Sequence, residues 1–199
     1  MLDLDQYIVK EHVGLFKLTD TYDILDPATG RKVGQAQEKV AGWMHVLRIL
    51  INKQMLPTRV SFIADPDEHG NGTEVLAISR GFSFLRPKIR ILANGQTEIG
   101  YFKAKLFSFG GTFFIHDTQD KRIGEVKGDW KGWNFTIRDD AGKELGVITK
   151  KWAGLGKELF TSADTYVISI NKDTATGAGV RSLLLAAGLA IDTVFKEKG

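Results

Sequence analysis

The sequence predicts a mainly β protein, a sandwich or a closed barrel of about a dozen short strands, with a hydrophobic helix near its C-terminal end. Three observations lead to this prediction. One hairpin pattern recurs four times, other segments alternate between apolar and polar residues, and no residue from 183 to 191 carries a polar side chain. The 199 residues fit one domain, and we expect 1–199 to form it.

The recurring hairpin pattern is a bulky residue, any residue and isoleucine, then a polar turn, then an aliphatic residue followed by glycine. The copies span residues 22–34, 89–100, 113–124 and 135–146. Residues two apart lie on one face of a strand, and polar turn residues reverse the chain. The pattern therefore predicts four antiparallel hairpins.

The glycines in these hairpins predict the type of one turn and the places of β-bulges. Asn94-Gly95 is typical of a tight hairpin turn, because both residues tolerate positive φ. A glycine that follows the aliphatic residue within a strand indicates a β-bulge or a close approach of another backbone or ring. These glycines are Gly34, Gly100, Gly124 and Gly146.

Other strands and one short helix are predicted from alternation and helical spacing. The additional strands are predicted at Tyr7–Val13, Phe16–Leu18, Arg59–Ile63, Glu74–Arg80 and Thr165–Ile170. Apolar residues recur at helical spacing from Val40 to Ile51, so residues 41–54 are predicted to form an amphipathic helix that packs on the sheet. Pro57 then prevents the helix from continuing.

The C-terminal segment predicts a buried helix. Residues from Arg181 to Phe195 are rich in helix formers, after a flexible Gly177–Gly179 lead-in. A helix that is apolar on every face must be buried in protein or lipid, and Leu183–Ile191 is too short to span a bilayer. The simplest solution is a helix threaded through a closed barrel. Small residues would let the strands approach it, namely Ala186, Ala187 and Gly188.

Composition argues against most catalytic chemistry. The absence of cysteine excludes disulfides, thiolate zinc sites, iron–sulfur clusters and a cysteine nucleophile. The four histidines have no metal-ligand spacing, and no phosphate loop or nucleophile elbow is present. Residues 65–72 resemble the start of a calcium loop, but Leu76 occupies the position of its bidentate glutamate, which favours a plain turn. We therefore expect no enzyme, no cofactor and no metal.

Charge is unevenly distributed along the chain. Overall there are 27 basic and 24 acidic residues, too small an excess to predict nucleic-acid binding. Between residues 86 and 105, however, five basic residues face Glu98 alone. We predict that this stretch binds anionic lipid head groups, with a solvated strand face as the alternative. The five candidate contacts are Arg86, Lys88, Arg90, Lys103 and Lys105. Phe107 and Phe109 follow them and would either enter the membrane interface or belong to the core.

Three stretches resemble a known superfamily. They are Glu74–Ile91 with its Arg86-Pro87 pair, the Gly-Val-Ile-Thr-Lys-Lys-Trp of 146–152, and 158–166 followed by the terminal helix. They are similar to the superfamily that joins LURP-one-related proteins, phospholipid scramblases and the Tubby C-terminal domain. The resemblance runs from about Tyr7 to Phe195 and is closest to the scramblase branch at its end.

This resemblance implies a Tubby-like barrel of about twelve strands around a C-terminal helix. Tubby domains bind phosphoinositides, and scramblases are described as moving phospholipids between leaflets with calcium. The chain departs from the scramblase calcium segment, because Ser162 replaces its first acid and only Asp164 and Asp173 remain. It also lacks the Pro- and Cys-rich N-terminal region of the scramblases, which argues against palmitoyl anchoring and against scrambling.

The sequence thus leads to a non-enzymatic, monomeric module that binds an anionic phospholipid or phosphoinositide. The N-terminus has acids where a signal peptide has basic and apolar residues, so we expect a cytoplasmic protein, peripheral at the inner face of the membrane. Two alternatives stay open. One is a protein-interaction scaffold with no lipid ligand, and the other is a phospholipid scramblase whose terminal helix enters the bilayer.

Overall fold

The computed structural model describes residues 2–12, 20–39, 57–81, 88–104, 112–129, 131–150 and 165–192. They form a closed antiparallel barrel with a C-terminal helix, which confirms the predicted fold class. The strands are β1 Gln6–Glu11, β2 Thr21–Leu25, β3 Lys32–Lys39, β4 Thr58–Ala64, β5 Thr73–Arg80, β6 Lys88–Ala93, β7 Thr97–Ala104, β8 Phe113–His116, β9 Arg122–Asp129, β10 Asn134–Arg138, β11 Glu144–Thr149 and β12 Thr165–Ile170, and the helix is α1 Ala178–Ala190.

Each strand pairs with its neighbours in the chain, and β1 closes the barrel by pairing with β12. Closure leaves none of these twelve described strands with an edge open to another chain. Because successive strands run in opposite directions, the connections between them lie alternately at one end of the barrel and at the other. At one end, called the turn end here, the connections are 26–31, 65–72, 94–96, 117–121, 139–143 and 171–177. At the other, called the rim end, most connecting residues lie outside the described ranges.

The four predicted hairpins are present as β2–β3, β6–β7, β8–β9 and β10–β11. In every one the register shifts at the predicted place, one residue before the glycine. A Cβ added to Gly124 or Gly146 would lie 2.6 Å from a carbonyl oxygen of the neighbouring strand. Gly124 and Gly146 therefore serve both predicted roles, bulge and close approach. Asn94 and Gly95 have φ of 49° and 70°, as the turn prediction requires.

The other strand predictions agree with the structure where it can be compared. Predicted strands 59–63 and 74–80 lie within β4 and β5, and 165–170 is β12. The first predicted strand corresponds to β1, which ends at Glu11. The predicted strand at 16–18 and the predicted helix at 41–54 lie outside the described residues.

Helix α1 begins at Ala178, three residues before the predicted start at Arg181. Gly177 has φ of 103°, which lets the chain turn directly into the helix, so the supposed lead-in is partly helical. The Arg181 guanidinium donates to the Leu4 carbonyl at 2.8 Å and lies 2.6 Å from the Asp5 carboxylate. These contacts tie the first turn of the helix to the segment before β1. Residues 193–195 of the predicted helix are outside the described ranges.

The helix fills the barrel, as predicted. Every residue from Leu183 to Ile191 is buried, in one cluster with inward-facing strand residues such as Phe62, Phe102 and Ile168. Gly188 lies against the Ile168 side chain so closely that an added Cβ would be 2.6 Å from its Cγ1. Burying a large aliphatic side chain contributes about 1.5–3 kcal/mol, so the helix is a main source of stability.

Candidate functional site

The predicted basic stretch lies on the outer face of the barrel. Lys88 and Arg90 are on β6 and Lys103 is on β7, all three exposed, while Arg86 and Lys105 lie outside the described residues. Lys88 and Lys103 are directly opposite one another across the strand pair. Like charges placed opposite in a sheet are destabilising. Their juxtaposition is therefore not explained by the stability of the barrel.

Few carboxylates neutralise these cations. Glu98 lies 3.4 Å from the Lys88 ammonium and 3.7 Å from the Arg90 guanidinium. The Lys88 and Arg90 side chains are 50% and 62% exposed, and such ion pairs contribute at most about 1 kcal/mol. Within the described part of the chain, Lys103 forms no hydrogen bond or ion pair. Lys88 and Arg90 thus share Glu98, and all three cations remain available to an anion.

Aromatic rings hold the cations in place. The Lys88 ammonium lies 3.9 Å from the centroid of the Tyr101 ring, and Tyr101 stacks on His116 with centroids 4.8 Å apart. The Arg122 guanidinium lies 4.2 Å from the centroid of Phe114, on the adjacent strands. Cation–π contacts at exposed sites contribute about 0.5–1 kcal/mol. They order the charged side chains without neutralising them.

The basic surface extends beyond the predicted stretch, to β9 and β10. Arg122 and Lys127 lie on β9 and Arg138 on β10. We call the outward cations of β6–β10 the basic face, and its members are Lys88, Arg90, Lys103, Arg122, Lys127 and Arg138. The same strands carry three outward carboxylates, Glu98, Glu125 and Asp129, half as many as the cations. The adjoining turn adds Asp139 and Asp140 beside Arg122 and Arg138.

The three added cations differ in how firmly they are paired. Arg122 forms ion pairs with Glu125 at 2.9 Å and with Asp140 at 2.8 Å. Arg138 donates to the Gly142 carbonyl at 3.1 Å. Lys127 is exposed and, among the described residues, has no such partner. Sequence reasoning missed all three because they lie outside the stretch 86–105. Aligning the hairpin copies would have revealed Lys127, which lies three residues after Gly124 as Lys103 lies three residues after Gly100.

His116 lies within this positive surface. Partial burial lowers the pKa of its imidazole below the ordinary value, and the nearby Lys103 and Arg122 charges lower it further, while Asp117 and Asp140 act in the opposite direction. The ring is therefore neutral near pH 7. An anion bound beside it would raise the pKa again.

The described residues offer little support for other sites. They contain no group of three His, Asp or Glu side chains arranged to hold a metal ion. Asp173 lies in the turn after β12, and its proposed calcium partner Asp164 is outside the described ranges. An open groove of about 410 Å³ borders β9 and β10, but its carboxylates are as numerous as its cations. The 65–72 segment is a turn in which Asp67 accepts the Asn71 N–H at 2.7 Å.

Comparison with known proteins identifies the family. A sequence model of the family described as Scramblase matches residues 7–198. The chain belongs to the scramblase family. No solved structure matches this scramblase-family chain. Among its described residues, no helix is long and apolar enough to cross a membrane.

Two curated relatives are similar to this scramblase-family chain. A phospholipid scramblase family protein of Schizosaccharomyces pombe is 24% identical over 158 residues, which cover 74% of this chain and 41% of the relative. Altered inheritance rate of mitochondria protein 25 of Saccharomyces cerevisiae is 22% identical over 180 residues, which cover 77% of this chain and 52% of the relative. The chain thus spans only part of the length of each.

Proposed function

We propose that this scramblase-family chain is a peripheral membrane module that binds anionic phospholipid head groups, phosphoinositides included, through the basic face. The observation that carries the proposal is the exposed pair Lys88 and Lys103, placed opposite one another with Arg90 beside them. Among the described residues, Glu98 is the one carboxylate that forms ion pairs with this group. Each Lys or Arg near an anionic membrane surface contributes about 1 kcal/mol. Three together supply about 3 kcal/mol, which is roughly a hundredfold in affinity.

Lysine footprinting tests this assignment. The protein is treated with an amine-acetylating reagent in buffer, with phosphatidylcholine vesicles, or with vesicles that also contain phosphatidylserine. We expect Lys88 and Lys103 to be protected by the anionic vesicles only. Exposed lysines of the turn end serve as internal controls and should stay reactive, namely Lys121, Lys143 and Lys172. Equal protection of all lysines, or of none, would contradict the proposal, and no protection would favour the scaffold alternative.

The helix is expected to stay in the barrel when the protein binds a membrane. Leu183, Leu184, Leu185, Leu189 and Ile191 are at most 2% exposed. At about 1.5–3 kcal/mol each, their burial is comparable to the whole stability of a domain, and the inner strand faces would lose their partner as well. Amides of 183–191 should therefore exchange slowly with and without anionic vesicles, as measured by hydrogen exchange. Rapid exchange on vesicles alone would revive the alternative in which the helix enters lipid.

Binding is expected to strengthen below about pH 6.5, the ordinary pKa of histidine. A lipid phosphate beside His116 would oppose the effects of burial, Lys103 and Arg122, which lower its pKa in the free protein. The bound protein then holds the proton more tightly, so affinity rises as pH falls. The measurement is vesicle affinity at pH 7.5 and pH 5.5 for the wild type and His116→Phe. Phenylalanine keeps a ring against Tyr101 but cannot take up a proton. If the two proteins showed the same pH dependence of vesicle affinity, His116 would not be its source.

A further inference from the structure

Charge is segregated along the axis of the barrel. At the rim end of β6–β11, exposed or partly exposed lysines lie near the strand ends or in the connections next to them. They are Lys88, Lys103, Lys127, Lys131 and Lys150. Asp129 is the acid among them, and its carboxylate accepts the backbone N–H groups of Lys131 and Gly132 at 2.9 and 3.0 Å. This end of β6–β11 is therefore strongly positive, whereas at β1–β3 the same end also carries the acids Glu11, Asp20 and Glu38.

The turn end carries the opposite charge. Its six connections hold nine carboxylates and four cations. Several of these carboxylates accept backbone hydrogen bonds, which favour their ionised form. The Ala28 N–H keeps the pKa of Asp26 below its ordinary value, and the Asn71 N–H does the same for Asp67. The turn end therefore stays negative over the physiological pH range.

The sequence of the remaining connections agrees with this polarity. Segments 13–19, 40–56, 82–87 and 105–111 join strands at the rim end, and they contain five Lys or Arg and no acidic residue. Segment 151–164 contains two of each sign. The charge difference between the two ends is thus supported by the described lysines and by composition.

We propose that the barrel docks end-on, with the rim end against an anionic phospholipid membrane and the turn end pointing into water. The inference rests on the proposed function, and it adds Lys131 and Lys150 to the lipid contacts of the basic face. Arg122 and Arg138 lie beside the turn end, so in this orientation they are the members of the basic face farthest from the membrane. A negative membrane attracts the rim lysines and repels the carboxylates of the turn end, so both ends favour the same orientation. The effect is confined to groups within about a Debye length of the surface, about 10 Å at 0.1 M salt.

Single-site fluorescence labelling tests this orientation, and the absence of native cysteine makes it specific. Asn134 begins β10 at the rim end, and Ala141 lies in the turn that follows β10 at the turn end. Both are exposed, so Asn134→Cys and Ala141→Cys form a matched pair. Each variant is labelled with an environment-sensitive fluorophore and mixed with phosphatidylcholine vesicles with or without phosphatidylserine. We expect a blue shift and protection from an aqueous quencher at position 134 only, and only with the anionic vesicles.

The outcomes separate this inference from the proposed function. If the labelled proteins float with anionic vesicles but the probe at 141 responds as strongly as that at 134, the orientation is wrong while lipid binding stands. If neither protein floats, the proposed function fails and the orientation with it. Thr149→Cys and Thr118→Cys give a second pair at the rim end and the turn end, in case either first variant does not fold.

Discussion

Reversing the charge of Lys88, Arg90 and Lys103 together is expected to weaken binding to anionic vesicles at least about 100-fold. Neutralising three cations removes about 3 kcal/mol, and the new carboxylates add repulsion. The three side chains are exposed, and the ion pairs of Lys88 and Arg90 with Glu98 are long, so stability should change little. Vesicle titrations of the wild type and the triple glutamate variant at one fixed salt concentration provide the measurement.

The matched control reverses three lysines at the turn end, Lys121, Lys143 and Lys172. It changes the net charge by the same amount, and all three side chains are exposed. Because salt screens charges beyond about 10 Å at 0.1 M, the control should bind nearly as well as the wild type. If both variants lose affinity equally, net charge rather than the basic face drives binding. If neither loses affinity, the assignment of Lys88, Arg90 and Lys103 is wrong.

Replacing Gly188 with leucine is expected to destabilise the barrel by about 2 kcal/mol. Glycine in a helix costs about 1 kcal/mol relative to alanine, so propensity alone would favour the replacement. Packing opposes it, because an added Cβ would lie 2.6 Å from Ile168 Cγ1, in a fully buried side chain of β12. Overpacking a tight core costs about 1–3 kcal/mol for a few methylenes and exceeds the gain. Urea unfolding of the wild type and variant measures the difference.

A second substitution identifies the cause of that loss. Ile168→Ala alone should cost about 2–5 kcal/mol because it leaves a cavity. Combined with Gly188→Leu, it makes room for the new side chain, so the double variant should be more stable than the sum of the single effects predicts. If the effects of the two substitutions on the free energy of unfolding were strictly additive, contact with Ile168 would not be the reason that position 188 requires glycine.

The fold could be predicted because its signals are local. Each hairpin carries its own turn chemistry and its own bulge glycine, as Gly100 and Gly146 show. The terminal helix was predicted from its lack of any polar face, which leaves burial as the simplest solution. Its start was misplaced at Arg181, because a glycine lead-in looks flexible until Gly177 is seen to direct the chain into the helix.

The candidate site could be predicted only in part. Lys88, Arg90 and Lys103 are close in sequence and also close in space, because one hairpin brings them together. Arg122 and Arg138 join the same surface through the pairing of β7 with β8 and of β9 with β10, which connects separate hairpins and depends on the order of the strands in the barrel. The separation of charge between the two ends also requires knowing which connections share an end.

Flotation of the wild-type protein with vesicles tests the central claim most directly. Phosphatidylcholine vesicles are compared with vesicles that also contain phosphatidylserine, at low and high salt and with or without calcium. The account predicts flotation with the anionic vesicles only, reduced by salt and independent of calcium. Flotation that requires calcium, that resists salt, or that occurs equally with neutral vesicles would contradict electrostatic binding by the basic face, and so would no flotation at all.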